Sequence, residues 1–245
     1  MGQEQKRYLL GMTLPEITEA MVGLGLPKFT GKQVADWVYV KRVKGVDEMT
    51  NISLKNRELL SGKFEVGRSD PLEIQTSGDG TRKILFKTSN GQFIETVIIP
   101  DRERLTLCVS SQVGCRMGCD FCLTGKQGFQ GNLTVTEILN QLYSAPDSEA
   151  ITNLVVMGMG EPLDNYENVQ KALELLQAEY GLAWSPRRIT LSTVGLRANL
   201  KRFLHESKCH LAISLHNPFP EERLAVMPIE KSTPATSVIK TLQEH

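Results

Sequence analysis

From Leu105 onward the chain alternates short apolar runs with amphipathic stretches at helical spacing, and this rhythm restricts the fold more than any other feature. Residues 105–109, 153–157, 188–191 and 210–215 read as strands. Between them lie a helix over 134–143, opened by the capping box Thr134 and Glu137, and one over 166–180 with the apolar stripe Val169, Leu173 and Leu176. A third helix is expected over 196–205, and Val238, Ile239 and Leu242 mark another running to the terminus. Short buried strands separated by helices belong to a parallel sheet covered by helices, the α/β class. Four such units can be counted, and at 245 residues with 40% hydrophobic content the chain can also bury a smaller companion domain.

What precedes this rhythm is organised differently. Residues 13–62 read as helical: Thr13 with Glu16 and Thr30 with Gln33 both fit the capping-box pattern, and a third short helix is expected over 53–60. Lys41, Arg42 and Lys44 form its best basic cluster, readable equally as a solvated helix end or as a contact to RNA. Over 72–99 the period changes to two, and the pairs Asp79-Gly80 and Asn90-Gly91 carry hairpin signals, so a three-stranded antiparallel meander is expected. In its last strand Phe93, Glu95, Val97 and Ile99 share a face. The residues alone favour reading Glu95 as an inward charge that protects an edge strand. The expected division is a helical domain over 1–65, a β-meander over 66–100 and a parallel βα region over 101–245.

The chemistry is concentrated at Cys115, Cys119 and Cys122, three thiols within eight residues. A structural zinc site normally takes four ligands, and no fourth lies nearby. Three thiolates on a 4Fe–4S cluster leave one iron open to a substrate. Gly114 and Gly118 let the backbone close around such a group, and Phe121 sets a ring beside the last ligand. A zinc knuckle or unrelated thiols remain the alternative on spacing alone.

Ligands of parallel α/β sheets gather at the carboxyl ends of the strands. There the sequence places Gly158, Gly160, Glu161 and Pro162, a turn whose carbonyls and carboxylate could receive an ammonium group, or a plain Gly-Pro loop. Ser192 offers a hydroxyl to a ribose, or a helix cap. Cys108, inside a strand, reads as a small buried hydrophobe, and Cys209 as structural. His205, His210 and His245 carry no further signal.

Lysine plus arginine equals aspartate plus glutamate at 28 each, so any polyanion would have to meet locally concentrated basic residues. No apolar run approaches the roughly 20 residues of a membrane span, the start lacks an apolar signal core, and five cysteines, mostly clustered, suit a reducing compartment. A cytoplasmic protein without membrane contact is expected.

The CxxxCxxC loop after a hydrophobic strand resembles the radical S-adenosylmethionine superfamily. The flanking residues Cys108, Gln112, Gly114 and Cys115, with 123–129, resemble more closely the dual-specificity rRNA and tRNA adenosine-C2 methyltransferases, over about Leu14 to the end. The resemblance implies a radical-type partial βα barrel and a cluster on Cys115, Cys119 and Cys122 whose open iron binds S-adenosylmethionine. Gly160 and Glu161 would hold the methionyl amino group, and Ser192, Ser214, Leu215 and His216 would contact the nucleoside. Reductive cleavage, fed by a low-potential donor such as flavodoxin, would give a 5′-deoxyadenosyl radical. That radical would activate a methyl group carried on a cysteine, which then adds to C2 of an adenosine in 23S rRNA or in tRNA next to the anticodon. Glu95 would take the substrate proton and Cys108 would resolve the adduct, while the helical domain helps to hold RNA.

The sequence departs from that family in one respect. No cysteine follows Cys209, so the methyl-carrying thiol is missing, together with a later asparagine that binds the nucleoside. The expectation is a chain lacking C-terminal units: an incomplete C2-methyltransferase, a related C8-methyltransferase, or a non-catalytic iron–sulfur or RNA-binding protein.

Overall fold

The computed structural model of the chain describes residues 6–245. At its start β1 (Arg7–Tyr8) pairs in parallel with β2 (Phe64–Glu65), closing a ring around α1 (Leu14–Gly23), α2 (Lys28–Ala35) and α3 (Leu54–Lys63). Thr13 caps α1 as expected: its hydroxyl accepts the Glu16 amide, and the Glu16 carboxylate accepts the Thr13 amide at 2.6 Å. The second box does not form. Pro27, with its fixed φ, starts α2 two residues ahead of Thr30, whose amide then bonds to the Pro27 carbonyl while its side chain is buried in the first turn.

The meander follows as β3 (Glu73–Thr76), β4 (Arg82–Lys87) and β5 (Phe93–Asp101). Gly80 and Gly91 take the left-handed conformation at φ +84° and +80°, which explains glycine after Asp79 and Asn90. β5 is not an edge strand. It pairs antiparallel with β6 (Arg104–Cys108), and β6 pairs in parallel with β9 (Asn153–Val156), then β10 (Ile189–Thr193), then β11 (His210–Ile213). Meander and parallel strands are therefore one open seven-stranded sheet in the order β11-β10-β9-β6-β5-β4-β3. Between β6 and β9, the short strands β7 (Gln112–Val113) and β8 (Gly131–Asn132) pair antiparallel on either side of α4 (Leu123–Gln127).

One face of the sheet is core: Ile94, Thr96, Ile98, Leu107, Val109, Leu154, Val156, Ile189 and Leu191 are all buried. The helix α5 (Val135–Tyr143) lies on it, with Gln141 accepting the Thr96 hydroxyl at 2.7 Å, and α6 (Tyr166–Gln177) packs beside α5. Further along are α7 (Arg197–Glu206), α8 (Pro220–Val226) and α9 (Ala235–Gln243). The other face is open. Phe93, Glu95 and Ile99 of β5 are exposed on it, so the row expected to point inward faces outward instead.

The helical region is fastened to the sheet layer by buried groups. The Tyr39 hydroxyl donates to the Met12 carbonyl at 2.6 Å and accepts the Gly11 amide at 3.0 Å, and its ring packs edge-on against Tyr143 of α5. The Arg68 guanidinium bonds to the carbonyls of Arg42 and Tyr143.

Candidate active site

The cysteine loop is a lobe closed at its base. Val113 and Gln112 pair with Gly131 and Asn132, and Gly114 is pressed so tightly against Gly128 that a Cβ there would fall 1.7 Å from the Gly128 carbonyl oxygen. Gly114 and Gly118 both have positive φ, +69° and +64°. Within the lobe Cys115 and Cys119 are buried and Cys122 is half-buried; they pack with Met117, Val194 and Met227. The Cys122 amide donates to the Cys119 carbonyl at 3.1 Å, and Cys122 stands at the N-cap position of α4 with its thiol making no capping bond.

Burial pushes the Cys115 thiol up to about 11, and it raises Cys119 as well, with the neighbouring thiol of Cys122 adding to the rise. Cations reverse this preference, since a coordinated thiol is deprotonated outright. Among the described residues no three His, Cys, Asp or Glu side chains converge on the point a single metal ion would occupy. A cubane cluster needs no such convergence, because each thiolate binds a different iron. A soft donor set, buried beside methionine and valine and wrapped by glycines, fits such a cluster.

The strand ends complete the site. After β9 the chain passes Met157, Gly158 and Gly160, where φ is +100° and a Cβ would lie 2.5 Å from the Gln112 Cβ. The Glu161 carboxylate, one of the groups that could receive an ammonium group by sequence, is 3% exposed and turned inward. It accepts the Thr193 hydroxyl at 2.5 Å and the amides of Val194 and Leu163 at 3.0 Å each. The reason is the following turn, whose free amides need an acceptor at the helix start. Burial nonetheless outweighs these donors and lifts the Glu161 carboxyl to about 7. The Met159 carbonyl is taken by the Ser111 and Gln112 amides at 2.8 and 3.1 Å, so what the turn offers a ligand are the carbonyls of Gly158 and Gly160.

Ser192 and Ser214 stand side by side at the ends of β10 and β11, their hydroxyl oxygens 3.3 Å apart. Leu215 follows, and His216 takes φ +58° and packs its ring 4.3 Å from that of Phe121 in the cysteine loop. The structure thus brings the three thiols and the β10 and β11 strand ends together. On the open face, Cys108 is paired across from Val97, and Glu95 is the next residue of β5 on that face. Burial raises the Cys108 thiol, moderated by the Met157 amide, and Glu95 is half-exposed with Lys83 Nζ at 3.0 Å. Cys209 is buried away from this group and accepts the Gln177 side-chain amide at 3.5 Å.

Two features escape a reading of the sequence. Arg116 pairs with Asp164 at 2.7 Å and lies over the Phe129 ring at 3.9 Å, tying the loop to the turn after β9. Arg223, which follows Glu221 and Glu222, is 1% exposed. A cavity of about 640 Å³ lies elsewhere, between α3, β2 and the meander, lined by Arg57, Phe64, Phe86 and Ile94.

Comparison with known proteins agrees with this geometry. Residues 109–245 match the Radical SAM superfamily, and residues 8–66 match the ribosomal RNA large subunit methyltransferase N-terminal domain. A probable dual-specificity RNA methyltransferase RlmN of Parabacteroides distasonis is 55% identical over 98% of this chain and 70% of its own length. The one of Phocaeicola vulgatus is 56% identical over 98% and 69%. The dual-specificity RNA methyltransferase RlmN of Marinobacter nauticus is 41% identical over 100% and 68%. The crystal structure of a radical SAM methyltransferase from Sphaerobacter thermophilus superposes with a TM-score of 0.90 at 36% identity, over 96% of this chain and 71% of that one.

Open sheet, thiol loop and strand-end turns together define a protein of the radical S-adenosylmethionine class. Within that class the chain belongs to the RlmN family of S-adenosylmethionine-dependent RNA methyltransferases.

Proposed function

We propose that this chain carries the cofactor-binding part of an enzyme that methylates C2 of an adenosine in 23S rRNA and in tRNA next to the anticodon. The observation that supports this most is the gathering of Cys115, Cys119 and Cys122 against Val194 and beside His216, so that cluster ligands and nucleoside contacts meet at one end of the sheet. When bound, the 4Fe–4S cluster supplies the electron for reductive cleavage of S-adenosylmethionine, difficult chemistry that belongs to the cofactor. The protein's part is to bind, orient and exclude water. The three thiols hold the cluster; carbonyls around Gly160 receive the methionyl ammonium, with Glu161 fixing that turn from behind. Ser192 and Ser214 face the ribose, and Leu215 and His216 the base.

The open face carries the RNA chemistry. Glu95 is solvent-accessible and can take the proton from the substrate carbon; Cys108, half-buried beside it, would once ionised attack the sulfur of the methyl-carrying cysteine, forming an S–S bond as the bond from that sulfur to the methyl carbon breaks and its electron pair passes to the released product. Lys41, Arg42 and Lys44 give the helical domain its basic contact. Methyl transfer also needs a thiol that carries the methyl group to this face. Cys115, Cys119 and Cys122 are engaged by the cluster, Cys108 releases the adduct and Cys209 is buried elsewhere, so none of the five cysteines can serve. These 245 residues therefore support cleavage of S-adenosylmethionine but not the whole methylation. A low-potential donor such as flavodoxin delivers the electron. Among the described residues no helix is long and apolar enough to cross a membrane, and a cytoplasmic setting suits the RNA substrates.

The test is anaerobic reconstitution with iron and sulfide, followed by EPR of the reduced protein with and without S-adenosylmethionine. A cluster signal that shifts on adding the nucleoside and is lost in Cys119→Ala supports the reading. A signal indifferent to it points to a non-catalytic iron–sulfur protein. Mass spectrometry of RNA nucleosides, with the missing thiol supplied, separates C2 from C8 methylation.

A further inference from the structure

The segment 219–231 touches both halves of the site without contributing a ligand to either. On one side the guanidinium of Arg223 reaches the end of β11: Nε donates to the Leu215 carbonyl at 3.0 Å and Nη2 to the Ser214 carbonyl at 3.2 Å. These carbonyls precede His216, whose left-handed backbone is a conformation that a residue other than glycine holds only when surrounding contacts impose it. The Leu215 carbonyl also accepts the Asn217 amide at 2.7 Å, so the turn is gripped from two directions. On the other side the Val226 carbonyl accepts the Asp120 amide at 2.9 Å, and the fully buried Met227 packs among Cys115, Cys119 and Val194.

The remaining charge is internal. Arg223 Nη1 pairs with Glu230, itself 6% exposed, and the Glu230 carboxylate also accepts the Ala235 amide at 2.9 Å where α9 begins. A planar fork with fixed donors suits this job in a way a flexible ammonium does not. The guanidinium directs three of its five N–H donors to two strand-end carbonyls and one buried acid, and at 1% exposure it is closed off from a substrate.

We infer that Arg223 is a positioning residue: it couples the nucleoside-contacting end of β11 to the cysteine loop, and sets affinity for S-adenosylmethionine without touching it. This rests on the proposed binding of that cofactor at the strand ends. Ser214, Leu215 and His216 are presented in the shape that the guanidinium imposes, and the same segment carries that shape through Val226 and Met227 to Asp120 and the thiols.

Arg223→Lys and the pair Arg223→Met with Glu230→Gln test the coupling. The double variant removes both buried charges, which proteins tolerate far better than loss of one. In each, iron and sulfide content after reconstitution stays at the parent level, while the Kd for S-adenosylmethionine, read from the EPR shift, rises about tenfold or more, as loss of charge-assisted hydrogen bonds requires. The lysine variant, keeping the charge but not the fork, falls between parent and double variant. In the iron-free chain, hydrogen exchange speeds up at the Asn217 and Asp120 amides together.

An affinity within twofold of the parent in Arg223→Lys overturns the inference. So does iron content that falls in step with affinity, because that marks support of the loop alone. A parent that loads iron but ignores S-adenosylmethionine defeats the cofactor reading first and this coupling with it.

Discussion

The hydroxyl of Thr193, at the end of β10, donates to the carboxylate of Glu161, in the turn after β9, across 2.5 Å of buried space. This contact, rather than an exposed acid, is how the turn after β9 is locked to its neighbour. Burial holds the Glu161 carboxyl up to about 7, against 4.5 in the unfolded chain. A raised folded value means that the folded chain keeps a proton which the unfolded chain has released. The associated stability is complete below about pH 4.5 and is lost as pH rises through about 7. At 1.36 kcal/mol per unit the span is roughly 3 kcal/mol. Urea unfolding of the iron-free chain at pH 5 and pH 7.5 should show that decline, and Glu161→Gln should remove most of it.

Gly114 and Gly118 share a positive φ but differ in surroundings, and this separates two kinds of cost. At Gly118 an added methyl meets nothing within 4 Å. Gly118→Ala then costs only the left-handed backbone penalty, about 1–2 kcal/mol, and iron loading persists. At Gly114 the methyl collides with the Gly128 carbonyl, which is backbone and cannot swing aside. Gly114→Ala should open the base of the loop, lower iron content after reconstitution and destabilise the chain by more than its neighbour does.

The cysteine triplet, the two glycine hairpins and the four parallel strands were legible because each depends on local chemistry: ligand spacing, positive φ, or the repeat of buried runs. Thr30 and Gln33 mimic a capping box, but Pro27 three positions earlier wins the helix start. Glu95 was misplaced on an edge because pairing of β5 with β6 is a tertiary fact that alternation alone does not show. The inward turn of Glu161 and the burial of Arg223 depend on partners 32 and 7 residues away, Thr193 and Glu230, which no local pattern announces. The two-residue strands β1 and β2 are too short to leave any pattern.

Tyr39 ties down the start of the helical region through one oxygen atom, while its ring packs against Tyr143 of the sheet layer. Its hydroxyl is fully buried and serves both the Met12 carbonyl and the Gly11 amide. Tyr39→Phe keeps the ring packing against Tyr143 and Tyr180 but strands both backbone groups. An unsatisfied buried group costs about 1–3 kcal/mol, so the midpoint of chemical denaturation should fall accordingly. Hydrogen exchange should quicken first around Gly11, ahead of the sheet.

Glu95 provides the clearest separation of function from stability. It is about half-exposed on the open face, and its one ion pair, with Lys83 at 3.0 Å on the neighbouring strand, is exposed to the same degree. Exposed pairs of this kind contribute on the order of 0.2–1 kcal/mol, so Glu95→Gln should leave the denaturation midpoint almost unchanged. Its proposed partner is the RNA base, so cleavage of S-adenosylmethionine, measured as 5′-deoxyadenosine release, should also be unaffected. The loss should appear only in adenosine methylation, assayed with the methyl-carrying thiol that the proposed reaction requires: removing a general base costs about 10²–10⁴ in rate. A drop in stability comparable to that of Tyr39→Phe would instead make Glu95 a structural charge. Methylation at the parent rate would move the proton to another acceptor on the same face.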